Sequence, residues 1–290
     1  MTDLLEGLVI SHLGQGIAVE VDGSIVLCQT RRKLDTVAVG DKVKITRSSA
    51  DQGRIEEILP RRSLLQRPSR NKKTRPVAAN IDRIYVVFAI EPHCDFLLID
   101  QYLAICESKN IDAVLVLNKI DLSNIEKLEA ELQQYQTLGY DIHKVSAHKN
   151  RGINQLKSAL NHQISMFAGQ SGVGKSSLTN AIIPDKQLKT NTVSETTKHG
   201  RHTTTAATLY HLPDGGDLID SPGVAIFGLA DMTEQQLAWG YREFQPLIED
   251  CLFNNCRHIK DKDCAIRSAA ETGKISMQRY QRFLKLLEKM

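Results

Sequence analysis

Gly169-Gln170-Ser171-Gly172-Val173-Gly174-Lys175-Ser176 is the stretch that decides how this chain is read. Its glycines let the backbone curl and turn several N–H groups toward one anion. Lys175 is then placed to reach β and γ phosphates, and the Ser176 hydroxyl suits magnesium. Ile164-Ser165-Met166-Phe167-Ala168, just before it, reads as a buried strand. Ser177-Leu178-Thr179-Asn180-Ala181-Ile182-Ile183, just after it, reads as a helix whose N-terminal end faces the phosphates. A glycine-rich turn alone is a weak signal. Strand before and helix after make it a phosphate loop.

Upstream, Asp112-Ala113-Val114-Leu115-Val116-Leu117 reads as a second buried strand and ends in Asn118-Lys119-Ile120-Asp121. A carboxylate at Asp121 accepts from N1–H and the 2-amino group of guanine, a donor pair that adenine lacks. The stem of Lys119 can cover one face of the base, and Asn118 can brace the loop or the base edge. Val145-Ser146-Ala147-His148 then suits a small-residue loop closing over guanine O6. In ordinary GTPases the phosphate loop precedes the guanine motif. Here the order is inverted, which predicts a circularly permuted guanine-nucleotide domain. Ile153, Leu156 and Leu160, at helical spacing, mark the helix that would end an unpermuted domain.

Two further segments complete the set. Asp217-Leu218-Ile219 leads into Asp220-Ser221-Pro222-Gly223, where Asp220 would hold a magnesium-bound water and the Gly223 N–H would touch the γ phosphate. Gly200-Arg201-His202-Thr203-Thr204-Thr205 offers hydroxyls for a switch, and Thr204 is the threonine chosen to sense magnesium and γ phosphate. Val224 stands where Ras-like enzymes carry a water-orienting Gln. His202 is the natural substitute; Arg201 or an outside partner is the alternative.

Cys251, Cys256, His258 and Cys264 lie close together near the end of the chain. Three thiolates and an imidazole suit one tetrahedral zinc ion. Their stretch is rich in Asn, Asp and Lys, so metal binding would supply its folding energy. Cys28, Cys94 and Cys106 are scattered and are expected to pack as small hydrophobes.

The run NKID, SAH, GQSGVGKSS, GRHTTT and DSPG resembles the bacterial ribosome-small-subunit-dependent GTPase family (RsgA, also written YjeQ or YloQ). The resemblance extends over nearly the whole chain, and the cysteine array matches that family's zinc motif ligand for ligand. It implies an oligonucleotide-binding (OB) type barrel, a permuted GTPase domain and a C-terminal zinc domain. It also implies action late in small-subunit assembly, with hydrolysis stimulated by the subunit. His202 matches the family's proposed catalytic histidine, and Thr204 its switch threonine. Within the same class, a permuted GTPase of large-subunit assembly is the competing reading. From another class, the competitor is an RNA-binding scaffold whose nucleotide site is only structural; Lys175, Ser176 and Asp220 argue against it.

The expected organisation is multidomain: residues 1–60 an OB-type β-barrel, 61–78 a basic linker, 79–231 a three-layer α/β phosphate-loop GTPase domain, and 232–290 a zinc-binding, helix-rich domain. Five short strands are expected at 6–11, 16–21, 24–29, 41–47 and 52–58, with Asp22-Gly23 as a hairpin turn. No clear room remains for a helix between strands three and four, so an SH3-like barrel stays open. No Phe, Tyr or Trp precedes Tyr85, so this barrel cannot stack bases and would read RNA through charge. Arg31, Arg32 and Lys33 are the expected contacts, with Arg61, Arg62, Arg67, Arg70, Lys72, Lys73 and Arg75 on a linker expected to be mobile.

A net charge of +3 is too small to argue nucleic-acid binding from the total alone. No apolar run approaches a membrane span and no export signal is visible, so a cytoplasmic monomer is expected, with GTP and magnesium, one zinc, and the small ribosomal subunit and its rRNA as partners. Residues 96–109 are expected to form a helix with Leu97, Leu98, Tyr102 and Ala104 inward. Only Val224–Asp231 separates the Asp220 segment from the zinc region. That predicts a zinc domain held by GTP and freed by hydrolysis, and separable by truncation after Asp231.

Overall fold

The structure is a computed structural model that describes residues 4–31, 34–68, 74–183, 207–221, 229 and 232–290. Strands β1 Leu5–Leu13, β2 Gly16–Val21, β3 Ser24–Thr30, β4 Lys42–Arg47 and β5 Gln52–Ile58 form the barrel. They close in the order β1-β2-β3-β5-β4-β1, with β3 and β5 parallel. This is the OB arrangement, and it removes the SH3-like alternative. Alternate residues such as Val9, Val19, Val26, Ile45 and Ile55 fill its interior.

The segment expected to be a mobile linker is instead a hairpin. β6 Leu64–Pro68 pairs antiparallel with β7 Thr74–Ala79. Leu65, Val77 and Ala78 are buried in the central core, and burial of apolar side chains at its base overrides the basic composition. Two of its neighbouring arginines are also committed internally. Arg61 reaches both carboxylate oxygens of the fully buried Asp41 at 2.7 Å, and Arg62 pairs with Asp82 at 2.6 Å. Acidic partners distant in sequence stand where the local run shows none.

The central domain continues with β8 Arg83–Phe88, α1 Phe96–Ser108, β9 Asp112–Leu117, α2 Glu129–Thr137, β10 Ile142–Lys144, α3 Ile153–Leu160, β11 Ile164–Ala168, α4 Lys175–Ile182, β12 Thr208–His211 and β13 Asp217–Asp220. The sheet order is β10-β9-β8-β11-β13-β12, parallel throughout except for β12. Period-two alternation assigns the faces. Ile84, Val86 and Phe88 pack toward α1 and α2, while Tyr85 and Val87 pack toward α3 and α4. β11 lies at the centre, so the permutation leaves the three-layer sheet intact. At the far edge β12 meets β1 of the barrel through Ser11 and Thr208, making one continuous eleven-stranded sheet.

The C-terminal region carries α5 Glu234–Trp239, α6 Gln245–Ile248, α7 Ala265–Glu271 and α8 Met277–Leu287. Thr233 starts α5 with a reciprocal capping box to Gln236. Its helices pack on α1, so α1 is covered on two sides. Leu97 and Leu98 pack against the core and Tyr102 and Ala104 lie in it, as expected, and burial extends further, from Ile99 to Cys106, Asp100 and Gln101 included. Leu237, Phe244, Phe283 and Leu286 belong to the same apolar core as Ile84 and Leu103. The zinc region is therefore not a separable body. Truncation after Asp231 would strip one face of α1 and leave Asp100 without its arginines, so the expectation that nucleotide binding survives it is withdrawn.

Candidate functional site

The C-terminal ends of β9, β8, β11 and β13 lie side by side, where open α/β sheets place their ligands. Gly169 has φ 140° and its backbone lies so close to β8 that a Cβ would stand 2.0 Å from the Val87 carbonyl oxygen. Gly174 has φ 95°, and a Cβ there would meet Asn118 Nδ2 at 2.4 Å. Both positions thus require glycine on conformation and on space. Lys175 opens α4 and donates from Nζ to the Gly169 and Gln170 carbonyls at 2.7 and 2.8 Å. Burial lowers its pKa, while nearby Asp220 acts the other way. Val173 is buried beneath the loop, and Ser171, Gly172, Ser176 and Ser177 are exposed at its mouth.

The guanine-type motif is fastened to this loop. Asn118 Nδ2 donates to the Val173 carbonyl at 2.9 Å, and Asn118 Oδ1 accepts from Ala147 N at 3.1 Å. Of the two roles open to Asn118, the structure gives it loop bracing. Lys119 Nζ donates to the carbonyls of Gly172 and Glu91 at 2.7 and 2.8 Å. Its stem therefore stretches toward the phosphate loop. Ser146 Oγ donates to Asp121 Oδ1 at 2.5 Å and accepts from Lys149 N at 3.0 Å. The Ser146 hydrogen bond, with His148 and Lys149 nearby, holds the exposed Asp121 carboxyl below its usual range. An ionised acceptor is thus presented beside the Ser146–Ala147 loop, the requirement for pairing with a two-donor base edge.

Asp220 ends β13 at the same rim. Arg201, His202, Thr204, Gly223 and Val224 lie outside the described residues, as do Arg32, Lys33, Arg70, Lys72 and Lys73. Arg31 is described; it is exposed and pairs with Glu56 at 2.5 Å. Sequence reasoning missed the Glu91 carbonyl, and no residue type signals a main-chain acceptor.

The predicted metal ligands also come together. Cys251, Cys256, His258 and Cys264 are all buried, with their ligand atoms within 4.8 Å of one another. His258 Nδ1 lies 3.6 Å from Cys251 Sγ and 3.5 Å from Cys264 Sγ. Tetrahedral zinc with ordinary bond lengths sets such atoms about 3.5–3.8 Å apart, so the four residues fit that ion. Burial lowers the His258 pKa, keeping the imidazole neutral as a ligand must be. The Tyr280 hydroxyl donates to the His258 carbonyl at 2.7 Å, tying the cluster to α8. Cys28, Cys94 and Cys106 are buried elsewhere, as expected, and burial raises the pKa of each thiol.

What the sequence did not reveal is how this cluster's domain is held. Asp100 of α1, fully buried, accepts from Arg279 Nη1 and Arg282 Nε at 2.6 Å each, and from the Tyr135 hydroxyl at 2.5 Å. Arg279 also pairs with Glu243, and Arg282 with Glu131 at 3.1 Å. An acidic residue inside the apolar run of α1 was the available signal, as was Arg279 on the face of α8 that carries Phe283 and Leu286.

The comparisons with known proteins agree with this geometry. The model of the RsgA GTPase family matches residues 58–230. A protein named small ribosomal subunit biogenesis GTPase RsgA from Marinobacter nauticus is 45% identical over 98% of this chain and 84% of its own length. Its counterpart from Haemophilus influenzae is 42% identical over 98% of this chain and 85% of its own. The crystal structure of YjeQ from Thermotoga maritima superposes with a TM-score of 0.79 at 33% identity, covering 99% of this chain and 98% of that one. YloQ, described as a circularly permuted GTPase, superposes at 0.75 with 26% identity over 99% and 95%. With the inverted motif order, the barrel and the Cys3His cluster in one molecule, this chain is a GTP-hydrolysing enzyme and belongs to the RsgA GTPase family.

Proposed function

We propose that this GTPase binds the small ribosomal subunit and acts in its late maturation, with hydrolysis stimulated by the subunit. The observation that carries the guanine half of this reading is the ionised Asp121, held by Ser146 and tied through Asn118 to the phosphate loop. The subunit half rests on the names of the relatives. In this reading Asp121, Ser146 and Ala147 hold the base, with Asn118 and Lys119 bracing. Gly169, Gln170, Ser171, Gly172, Val173, Gly174, Lys175, Ser176 and Ser177 cradle the phosphates. Ser176, Thr204 and Asp220 are the residues that would hold magnesium, which would supply charge neutralisation at the phosphates. The Gly223 N–H meets the γ phosphate and His202 orients the attacking water. Cys251, Cys256, His258 and Cys264 hold one zinc ion per chain, which stabilises the C-terminal fold.

The barrel, over residues 1–60, and the basic segment that follows it meet rRNA phosphates through Arg31, Arg32, Lys33, Arg70, Lys72 and Lys73. Arg31 itself is exposed, and Glu56 keeps Arg54 and Thr46 as partners if Arg31 turns away. Residues 79–231 form the nucleotide domain and 232–290 the zinc domain, within one shared core. The protein works as a cytoplasmic monomer; no helix among the described residues is long and apolar enough to cross a membrane.

The test is turnover of GTP and ATP by the full chain, alone and with purified small or large subunits, for wild type and His202→Ala. The reading predicts GTP turnover raised by small subunits alone. It also predicts that His202→Ala binds GTP normally but loses on the order of 100-fold in stimulated turnover. Stimulation by large subunits, or equal use of ATP, contradicts the reading.

A further inference from the structure

Helix α1 touches the phosphate loop at one point and the C-terminal helices at another. Tyr102 is 1% exposed, and its hydroxyl is hydrogen-bonded to the backbone of Gly169. The two residues line one small cavity with Asp95, Leu98 and Gln170. Gly169 also lies close against the Val87 backbone, and its carbonyl accepts from Lys175 Nζ at 2.7 Å. A loop with glycines at φ 140°, 83° and 95° has little stiffness of its own and depends on such outside restraints. Two residues before Tyr102, Asp100 holds Arg279 and Arg282 of α8.

We propose that Tyr102 is a positioning residue for the phosphate loop, fixing Gly169 and through it Lys175, and that α1 transmits the docking of the C-terminal domain to that loop. The chain of contact is short: Arg282 to Asp100, one half-turn of α1 to Tyr102, Gly169, then Lys175. A domain about to bind a large partner is thereby joined to the residue that meets the phosphates. The proposal rests on the reading of Lys175 as the phosphate-contacting side chain.

The test uses the full chain and fluorescent GDP and GTP analogues as probes. Tyr102→Phe removes one hydroxyl and keeps the ring. Affinity is measured in the wild-type and Lys175→Ala backgrounds, with zinc content and melting temperature as controls on the fold. Loss of one hydrogen bond is expected to weaken nucleotide binding about fivefold in the wild-type background. In Lys175→Ala no further loss is expected, because the residue being positioned is gone. Unchanged affinity in Tyr102→Phe, or the same loss in both backgrounds, overturns the positioning role. If Lys175→Ala binds as tightly as wild type, the phosphate-contact reading itself fails. Arg282→Gln tests the second half: it should weaken nucleotide binding when Tyr102 is present and not in Tyr102→Phe. A lowered melting temperature with unchanged nucleotide affinity overturns the transmission.

Discussion

At the C-terminal junction the charges are buried; at the barrel junction they face water. Asp100 and Arg279 have side chains 0% and 1% exposed, within an apolar core shared by the nucleotide and zinc domains. On the barrel side, His211 of β12 bridges Glu20 of β2 and Asp217 of β13 at 2.6 Å each, with side-chain exposures of 54%, 24% and 19%. Ser11 Oγ adds contacts to the Ala207 carbonyl and Thr208 Oγ1 at 3.3 and 3.2 Å. The barrel's apolar hold is elsewhere, where Val39 pairs with Ala78 and Asn80 Nδ2 donates to the Gly40 carbonyl. Removing one partner of a buried pair costs about 3–5 kcal/mol, whereas an exposed pair contributes about 0.2–1 kcal/mol. The zinc domain is thus part of the nucleotide domain's core, while the barrel joins that core mainly through Val39, with Leu8 and Ile10 packed against it, and pairs with the sheet edge.

The largest effect should come from the metal. Cys256→Ser, or a strong chelator, removes binding energy that in zinc-finger peptides reaches about 10–16 kcal/mol. With a shared core, the loss is expected to unfold α5 to α8 and to impair GTP binding as well. Zinc analysis and nucleotide titration of the variant check this; zinc-free protein that binds GTP normally would break the comparison. Next comes Asp100→Asn, which leaves two arginines short of a buried counter-charge. It should cost about 3–5 kcal/mol in urea unfolding, against less than about 1 kcal/mol for Glu20→Gln.

The smallest effect is a pH dependence at the barrel edge. Hydrogen bonding to Asp217, and secondly to Glu20, raises the His211 pKa to about 9. The folded-state value lies above the unfolded one. Its contribution is therefore fully present below about pH 6.5 and is lost as pH rises through about 9. Half-exposed, it should amount to only about 0.5 kcal/mol after screening. The melting temperatures of wild type and His211→Gln should differ at pH 6 and converge near pH 10; a constant difference would remove the clasp from the account.

Much of this was readable from the chain because it depends on local chemistry. The phosphate loop, the Asn118–Asp121 motif, the five barrel strands and the metal ligands each lie in short segments whose residue types dictate geometry. Inverted motif order exposed the permutation, and central placement of β11 follows from it. The junctions were not readable, because their partners are remote. Asp100 meets Arg279 across 179 positions, and His211 meets Glu20 across 191. Residues 61–78 misled for the same reason: a local run of arginines conceals that Arg61 and Arg62 answer to Asp41 and Asp82. Signals existed in Asp100 amid apolar neighbours and in Arg279 on an apolar face, since a charge placed there needs a buried partner.

The central claim is that the zinc domain and the nucleotide domain are one cooperative unit. Trp239, the chain's single tryptophan, lies on α5 and reports on the zinc domain, while a bound fluorescent GDP analogue reports on the nucleotide domain. Both signals are followed in one urea titration of the full chain. A shared core predicts coincident transitions, with one midpoint and one slope. A Trp239 transition completed while the nucleotide is still bound would contradict it.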